Sequence, residues 1–176
     1  MQRVILVFIS FIFLFTSCTI REEFVGFTGM GKAPIYVPFS ELDNIGSLPA
    51  QAVMQSGPIF LIGDYFFMTE SGQGIHVFDI NDEEQESSLV FIKIPAITDF
   101  TIDGNILYAD SWKDLVSIDI TDIYNVVFLS RTTDVFDPFL SPQLYFGPFE
   151  CVDNDKGAII GWEDVFLDNA LCQTLN

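Results

Sequence analysis

Between residues 57 and 130, short runs of β-branched and aromatic residues recur in one order, each closed by Gly, Asp, Asn, Ser or Pro. Ile59–Ile62 ends at Gly63-Asp64, Tyr65–Met68 runs toward Ser71-Gly72-Gln73-Gly74, Ile75–Ile80 ends at Asn81-Asp82, and Leu89–Ile94 stops at Pro95. The order then repeats: Thr98–Ile102 to Asp103-Gly104-Asn105, Ile106–Ala109 to a polar turn around Trp112, Leu115–Ile120 to Thr121-Asp122, then Val126–Leu129. Runs this short, bounded by turn residues, are strands. Asp79 and Asp119 hold equivalent places, so the period is about 40 residues. Four short antiparallel strands per unit at that period predict an all-β fold of propeller-like repeats. A closed propeller needs at least about four blades, whereas two units are visible. The expectation is an incomplete propeller: a fragment of a longer protein, or a chain whose open edges a partner covers.

The segment ahead of the repeats reads as export and attachment. Val4–Phe15 is an apolar run of about a dozen residues after Gln2 and Arg3. A bilayer-spanning helix needs about 20, so the run fits a signal peptide over residues 1–17. Thr16-Ser17-Cys18 resembles the cleavage box of bacterial lipoproteins, with Phe15 where Leu is usual. That resemblance implies lipid on Cys18 and a membrane as partner. Acyl chains contribute about 0.8 kcal/mol per buried methylene, so two or three hold firmly where one does not. Thr19 is not the Asp that retains some lipoproteins at an inner membrane. Arg21-Glu22-Glu23 resembles the charged tether of some Bacteroidetes-type surface lipoproteins. The expected location is the cell envelope, at the outer membrane.

Residues 18–56 are expected to hold the lipidated cysteine, a Gly-rich tether to about residue 33, and an extended piece from Ala33 to Phe39. Ser40 would cap a short helical turn, and Ser56-Gly57-Pro58 would break the chain. Residues 131–176 read as an irregular connection followed by a C-terminal β hairpin. With Cys18 taken by lipid, Cys151 and Cys172 remain, and an even remainder in an oxidising compartment predicts a disulfide.

Seven Lys and Arg stand against 25 Asp and Glu, a net charge of −18. A chain this acidic is a poor partner for nucleic acid and for anionic lipid headgroups. The charge itself serves solubility and repulsion between copies, with divalent-cation binding as the sharper alternative.

Gly74–Ile80 and Asp114–Ile120, with Leu107-Tyr108-Ala109-Asp110-Ser111 ahead of the second, resemble LVIVD repeats of bacterial and archaeal surface proteins. Pro34-Ile35-Tyr36 and Gly157–Glu163 are similar to the flanks of Bacteroidetes lipoproteins that carry such repeats. The resemblance implies β-propeller blades and leaves the molecular activity undefined.

Few residues offer chemistry. Asp79 and Asp119 are either a pair of rim carboxylates or acceptors for the turn after each strand. His76, the single histidine, alternates with Ile75 and Val77, and no nucleophile or acid partner is visible beside it. Asp153–Gly157 opens like a calcium loop but lacks the later ligands, and otherwise reads as an acidic turn. No metal site is expected, since no close cysteine pair accompanies the one histidine. No cofactor motif appears. Trp112 is either a binding anchor in a loop or packing against a neighbouring blade. The expected function is a lipid-anchored binding or scaffolding module for an envelope protein or glycan, not an enzyme. The alternatives are an envelope enzyme with an acidic site and a non-functional truncated fragment.

Overall fold

The computed structural model describes residues 26–81 and 88–174. The expected signal peptide, Cys18, the Arg21-Glu22-Glu23 tether residues and the acidic stretch of residues 82–86 lie outside those residues. The described chain is all-β, in three sheets, none of them closed into a barrel.

The first repeat forms β3 (Ser56–Ile62), β4 (Tyr65–Glu70), β5 (Gly74–Asp79) and β6 (Val90–Lys93), ahead of which lie β1 (Phe27–Val37) and β2 (Gly46–Pro49). The second forms β7 (Phe100–Asp103), β8 (Ile106–Ser111), β9 (Asp114–Asp119) and β10 (Val127–Thr132). Each repeat is an antiparallel meander of consecutive strands. The turns follow the sequence. Gly63 and Gly104 take φ of 58° and 59° as first residues of matching two-residue turns, the position where only glycine is free of strain. The next contact matches too: Ile80 N–H donates to Asp64 O and Ile120 N–H to Asn105 O, both at 2.9 Å.

The inward-facing residues of the two meanders merge into one core, including Phe67, Ile75, Val77, Leu107, Val116 and Ile118. Each such side chain contributes about 1.5–3 kcal/mol on burial. Phe60 of β3 meets Phe100 of β7 at 4.7 Å between ring centroids, so the first strands of the two repeats face one another.

The flanks depart from expectation. The tether was expected to reach residue 33, but β1 begins at Phe27 and pairs with β12 (Ala158–Ala170) from Phe27–Ala170 to Val37–Ala158. A partner strand along its whole length outweighs the low strand preference of its glycines. The C-terminal segment is not a hairpin. β12 pairs with β1, while β13 (Cys172–Gln173) pairs with β11 (Pro148–Phe149), which meets β1 in parallel. β12 and β13, neighbours in sequence, thus take different partners. Residues 18–56 are also no separate stretch, because β2 adds a fifth strand to the first repeat's sheet beside β6.

The helical turn forms as a 3-10 segment, Phe39–Asp43, but Pro38 rather than Ser40 stands at its start, with no side-chain cap. Ser56-Gly57-Pro58 lies inside β3, where a register shift between Ser56 and Ile59 absorbs it. The expected disulfide is present: Cys151 and Cys172 are joined, with Cα atoms 5.2 Å apart.

Candidate functional site

The β4–β5 turn, the β8–β9 turn, the linker between the repeats and the start of β12 meet around Trp112. A second apolar cluster, Leu42, Ala96 and Ala158, packs with Trp112, Val37 and Ile160. It joins the linker between the repeats to β12. Gly72, in the β4–β5 turn, closes the contact. Its φ is 76°, and a Cβ there would stand 1.7 Å from the carbonyl oxygen of Ile160. Only glycine lets these backbones approach.

Counted back from β5 and β9, Trp112 stands where Gly72 stands. It has the same hand of backbone, φ 63°. For a bulky side chain this conformation costs on the order of 1–3 kcal/mol. The indole Nε1–H is buried and has no acceptor, a further penalty. The ring is held by Phe39 at 4.8 Å between centroids, with Lys113 Nζ 4.9 Å from its centre.

Beside Trp112 opens a cleft of about 270 Å³. Its walls carry the rings of Trp162, Tyr145 and Phe139, and its rim the amides of Gln55 and Gln143. Lys32 is its one charged lining residue, and its Nζ lies 2.8 Å from Asp164 Oδ1. A second hollow of about 410 Å³ shares Thr98, Trp112 and Phe139 with the first and adds Asp99, Asp110 and Asp137. The backbone groups between the turns are already engaged. Gly72 N–H donates to Ile97 O at 2.7 Å, Ala96 N–H to Gly72 O at 3.0 Å and Trp112 N–H to Ala96 O at 3.1 Å. Trp112 is therefore both packed against its neighbours and a wall of a cleft.

Asp79 and Asp119 are turn acceptors. Asp79 Oδ1 accepts the N–H of Asn81 at 2.9 Å, and Asp119 Oδ1 that of Thr121 at 2.8 Å. The Thr121 hydroxyl and N–H hold the exposed Asp119 carboxyl below the usual range. Asp153 behaves likewise: its Oδ1 accepts Asp155 N–H at 3.1 Å. That is the acidic-turn reading of Asp153–Gly157. Among the described residues, no group of three His, Cys, Asp or Glu side chains could hold a metal.

His76 does have partners, and sequence reasoning missed them. Its Nε2 lies 3.2 Å from Glu70 Oε2 and its Nδ1 3.3 Å from Ser88 Oγ. The signal was in the hairpin: with Glu70 opposite Gly74, positions 70 and 76 share a face and sit diagonally across β4 and β5. The set has the residue types of a hydrolase triad. However, Ser88, His76 and Glu70 are only 3%, 0% and 6% exposed, so a substrate reaches none of them. The Glu70 carboxylate is instead taken up by the N–H groups of Met54 and Gln55, at 2.9 and 2.6 Å. This network fixes the segment that carries Gln55 to the rim of the cleft.

Among the described residues, no helix is long and apolar enough to cross a membrane. Comparison with family models, with curated proteins and with solved structures finds no match to this chain.

Proposed function

We propose that this chain is a lipid-anchored, propeller-type β-repeat protein of the cell envelope that works as a binding module at the cleft beside Trp112. The observation that carries the binding role is Trp112 itself. At the turn where its repeat counterpart is a glycine, the chain keeps a tryptophan in a left-handed conformation with an unpartnered N–H. Residues that lower stability and line a cleft are characteristic of function rather than folding.

The propeller reading is supported by the two equivalent meanders and by turns converging on one cleft. The resemblance of Gly74–Ile80 and Asp114–Ile120 to LVIVD repeats supports it as well. Export is supported by the apolar run ahead of Cys18 and by the Cys151–Cys172 disulfide, a bond of oxidising compartments. Attachment at the outer membrane rests on Cys18 and on the residues after it. Among the described residues no strand pairs with the outer side of β10, where Val127, Phe128 and Leu129 are exposed. That edge is the natural place for scaffolding contacts or for further strands of a longer protein.

Two measurements test the proposal. Cells fed labelled palmitate should label the protein, and Cys18→Ser should abolish the label and release the protein from membranes. Both tryptophans of the chain line the cleft, so their emission reports on its occupancy. Titration with envelope saccharides and with envelope-derived peptides should give a saturable change that Trp112→Ala removes. Binding that persists in Trp112→Ala would move the site elsewhere.

A further inference from the structure

We infer that the cleft between Trp112 and Trp162 receives a single neutral saccharide ring, an inference that rests on the binding role proposed above. Three features of the lining select this class.

The first is the mixture of groups. A sugar ring has a face of C–H bonds and an edge of hydroxyls. The cleft is lined by the aromatic residues Trp112, Trp162 and Tyr145, suited to the face, and by Gln55 and Gln143, whose amides suit the edge, with Gln143 Nε2 also donating to Ser141 O at 3.3 Å. Aromatic walls with a few convergent polar groups are the usual form of a small-molecule site.

The second is the state of the backbone. An extended peptide is recognised through free main-chain donors and acceptors. Around this cleft the linking groups of Gly72, Ala96 and Trp112 are already bonded to one another or to Ile97. The turns and the linker therefore meet a ligand through side chains, as hydroxyls require, while the outer edge of β12, where Ile159–Trp162 line the cleft, has no strand beyond it among the described residues.

The third is size and charge. About 270 Å³ lies just below the range of drug-sized sites, roughly 300–1,000 Å³, so this cleft itself accommodates one ring. Lys32, the one charged lining residue, is matched by Asp164 at 2.8 Å. The protein's net charge of −18 repels acidic sugars. A neutral ring is what remains.

The test is a titration of the full-length protein in detergent with N-acetylglucosamine, with glucose and with glucuronate, followed by tryptophan emission. The neutral sugars should give a saturable change with a dissociation constant on the order of 1 mM, the scale for a ligand of about a dozen to fifteen non-hydrogen atoms. Glucuronate should bind more weakly than glucose. Gln55→Ala and Gln143→Ala alter exposed side chains and leave the fold intact. Each should weaken binding about fivefold, the value of one hydrogen bond. Trp112→Phe should weaken it further while Trp162 still reports. Absence of a saturable response to either neutral sugar overturns the saccharide inference, as does a response untouched by all three variants. If peptides then change the emission, the binding role stands without it; if nothing does, both fall.

Discussion

Glu70 in the first repeat and Asp110 in the second perform the same task. Each sits in the last two residues of its repeat's second strand and accepts two successive backbone N–H groups from the segment entering the first strand. Glu70 takes those of Met54 and Gln55, at 2.9 and 2.6 Å. Asp110 takes those of Thr98 and Asp99, at 2.7 and 2.8 Å. The repeat is therefore one of hydrogen-bonding role as well as of strand pattern. Both staples hold chain beside the cleft, since Gln55 and Thr98 line it.

The Glu70 staple is buried, so its loss is costly. Glu70→Gln keeps one acceptor oxygen but turns an amide N–H₂ toward donors. It should lower stability by about 1–3 kcal/mol, the range for leaving a buried donor unsatisfied. Urea denaturation reads the change, and hydrogen exchange at Met54 and Gln55 should quicken. A midpoint equal to the parent's would show that the carboxylate does not hold this segment.

Asp110 couples stability to pH. Burial pushes its carboxyl above the ordinary value of 3.8, only partly offset by hydrogen bonds from Asp99 and Thr98. The unfolded chain gives up this proton first. Stability present below the unfolded value is therefore lost as pH rises through the higher folded value. Compared with Asp110→Asn, the parent should lose stability as pH rises from below the ordinary carboxyl value through the raised folded one. Denaturant midpoints of the pair across that window check the sign. A difference that stays flat, or grows in the parent's favour, contradicts the burial effect.

Local structure was legible and non-local structure was not. The runs around Ile75–Ile80 and Leu115–Ile120 become β5 and β9 because strand preference and glycine turns act over a few residues. The disulfide was legible by counting cysteines. The third sheet was hidden, because β1 and β12 are far apart in sequence and share no repeat. Nothing in the Gly-rich stretch before Ala33 announces its partner. The Glu70–His76 pair was hidden for a smaller reason. The face that Glu70 shares depends on how many residues the β4–β5 turn holds. The second repeat's corresponding turn is one residue shorter, with Ser111 directly paired to Asp114 across Trp112-Lys113.

Two glycines with the same hand of backbone should respond unequally to alanine. At Gly63, φ is 58° and a Cβ would meet nothing within 4 Å. Gly63→Ala should then cost only the backbone term, about 1 kcal/mol. At Gly72 the Cβ would collide with the backbone of Ile160. Gly72→Ala should cost more than about 3 kcal/mol and alter tryptophan emission, because the cleft loses its junction. Equal effects would mean that the approach of Gly72 to β12 is not maintained in solution.

The Cys151–Cys172 bond closes a loop with a sequence separation of 21. By chain entropy a loop of that length contributes about 3 kcal/mol. Reduction, or the Cys151→Ser and Cys172→Ser double variant, should lower the melting temperature by about 6–12 °C for a domain of this size. The loss should centre on the sheet of β1, β11, β12 and β13, leaving exchange protection in the repeat core largely unchanged. Uniform loss of protection across β5 and β9 would show instead that the third sheet and the repeats unfold as one unit.

Trp112 separates backbone cost from side-chain gain. Trp112→Ala removes the contact with Phe39 and the cluster around Leu42 but keeps a β-carbon at φ 63°. Trp112→Gly removes the same contacts and also the strain. In most settings glycine is the less stable of the two by about 0.5–1 kcal/mol. Here the order should invert, with Trp112→Gly the more stable by about 1 kcal/mol. Both should lose cleft binding, since neither restores a ring. Paired denaturation curves decide it. An alanine variant as stable as the glycine variant would mean that residue 112 relaxes out of the left-handed region once its ring is gone, and that packing of the indole is what forces the turn. The inverted order would instead show that the two-residue turn between β8 and β9 imposes the conformation and the tryptophan is carried there at a cost.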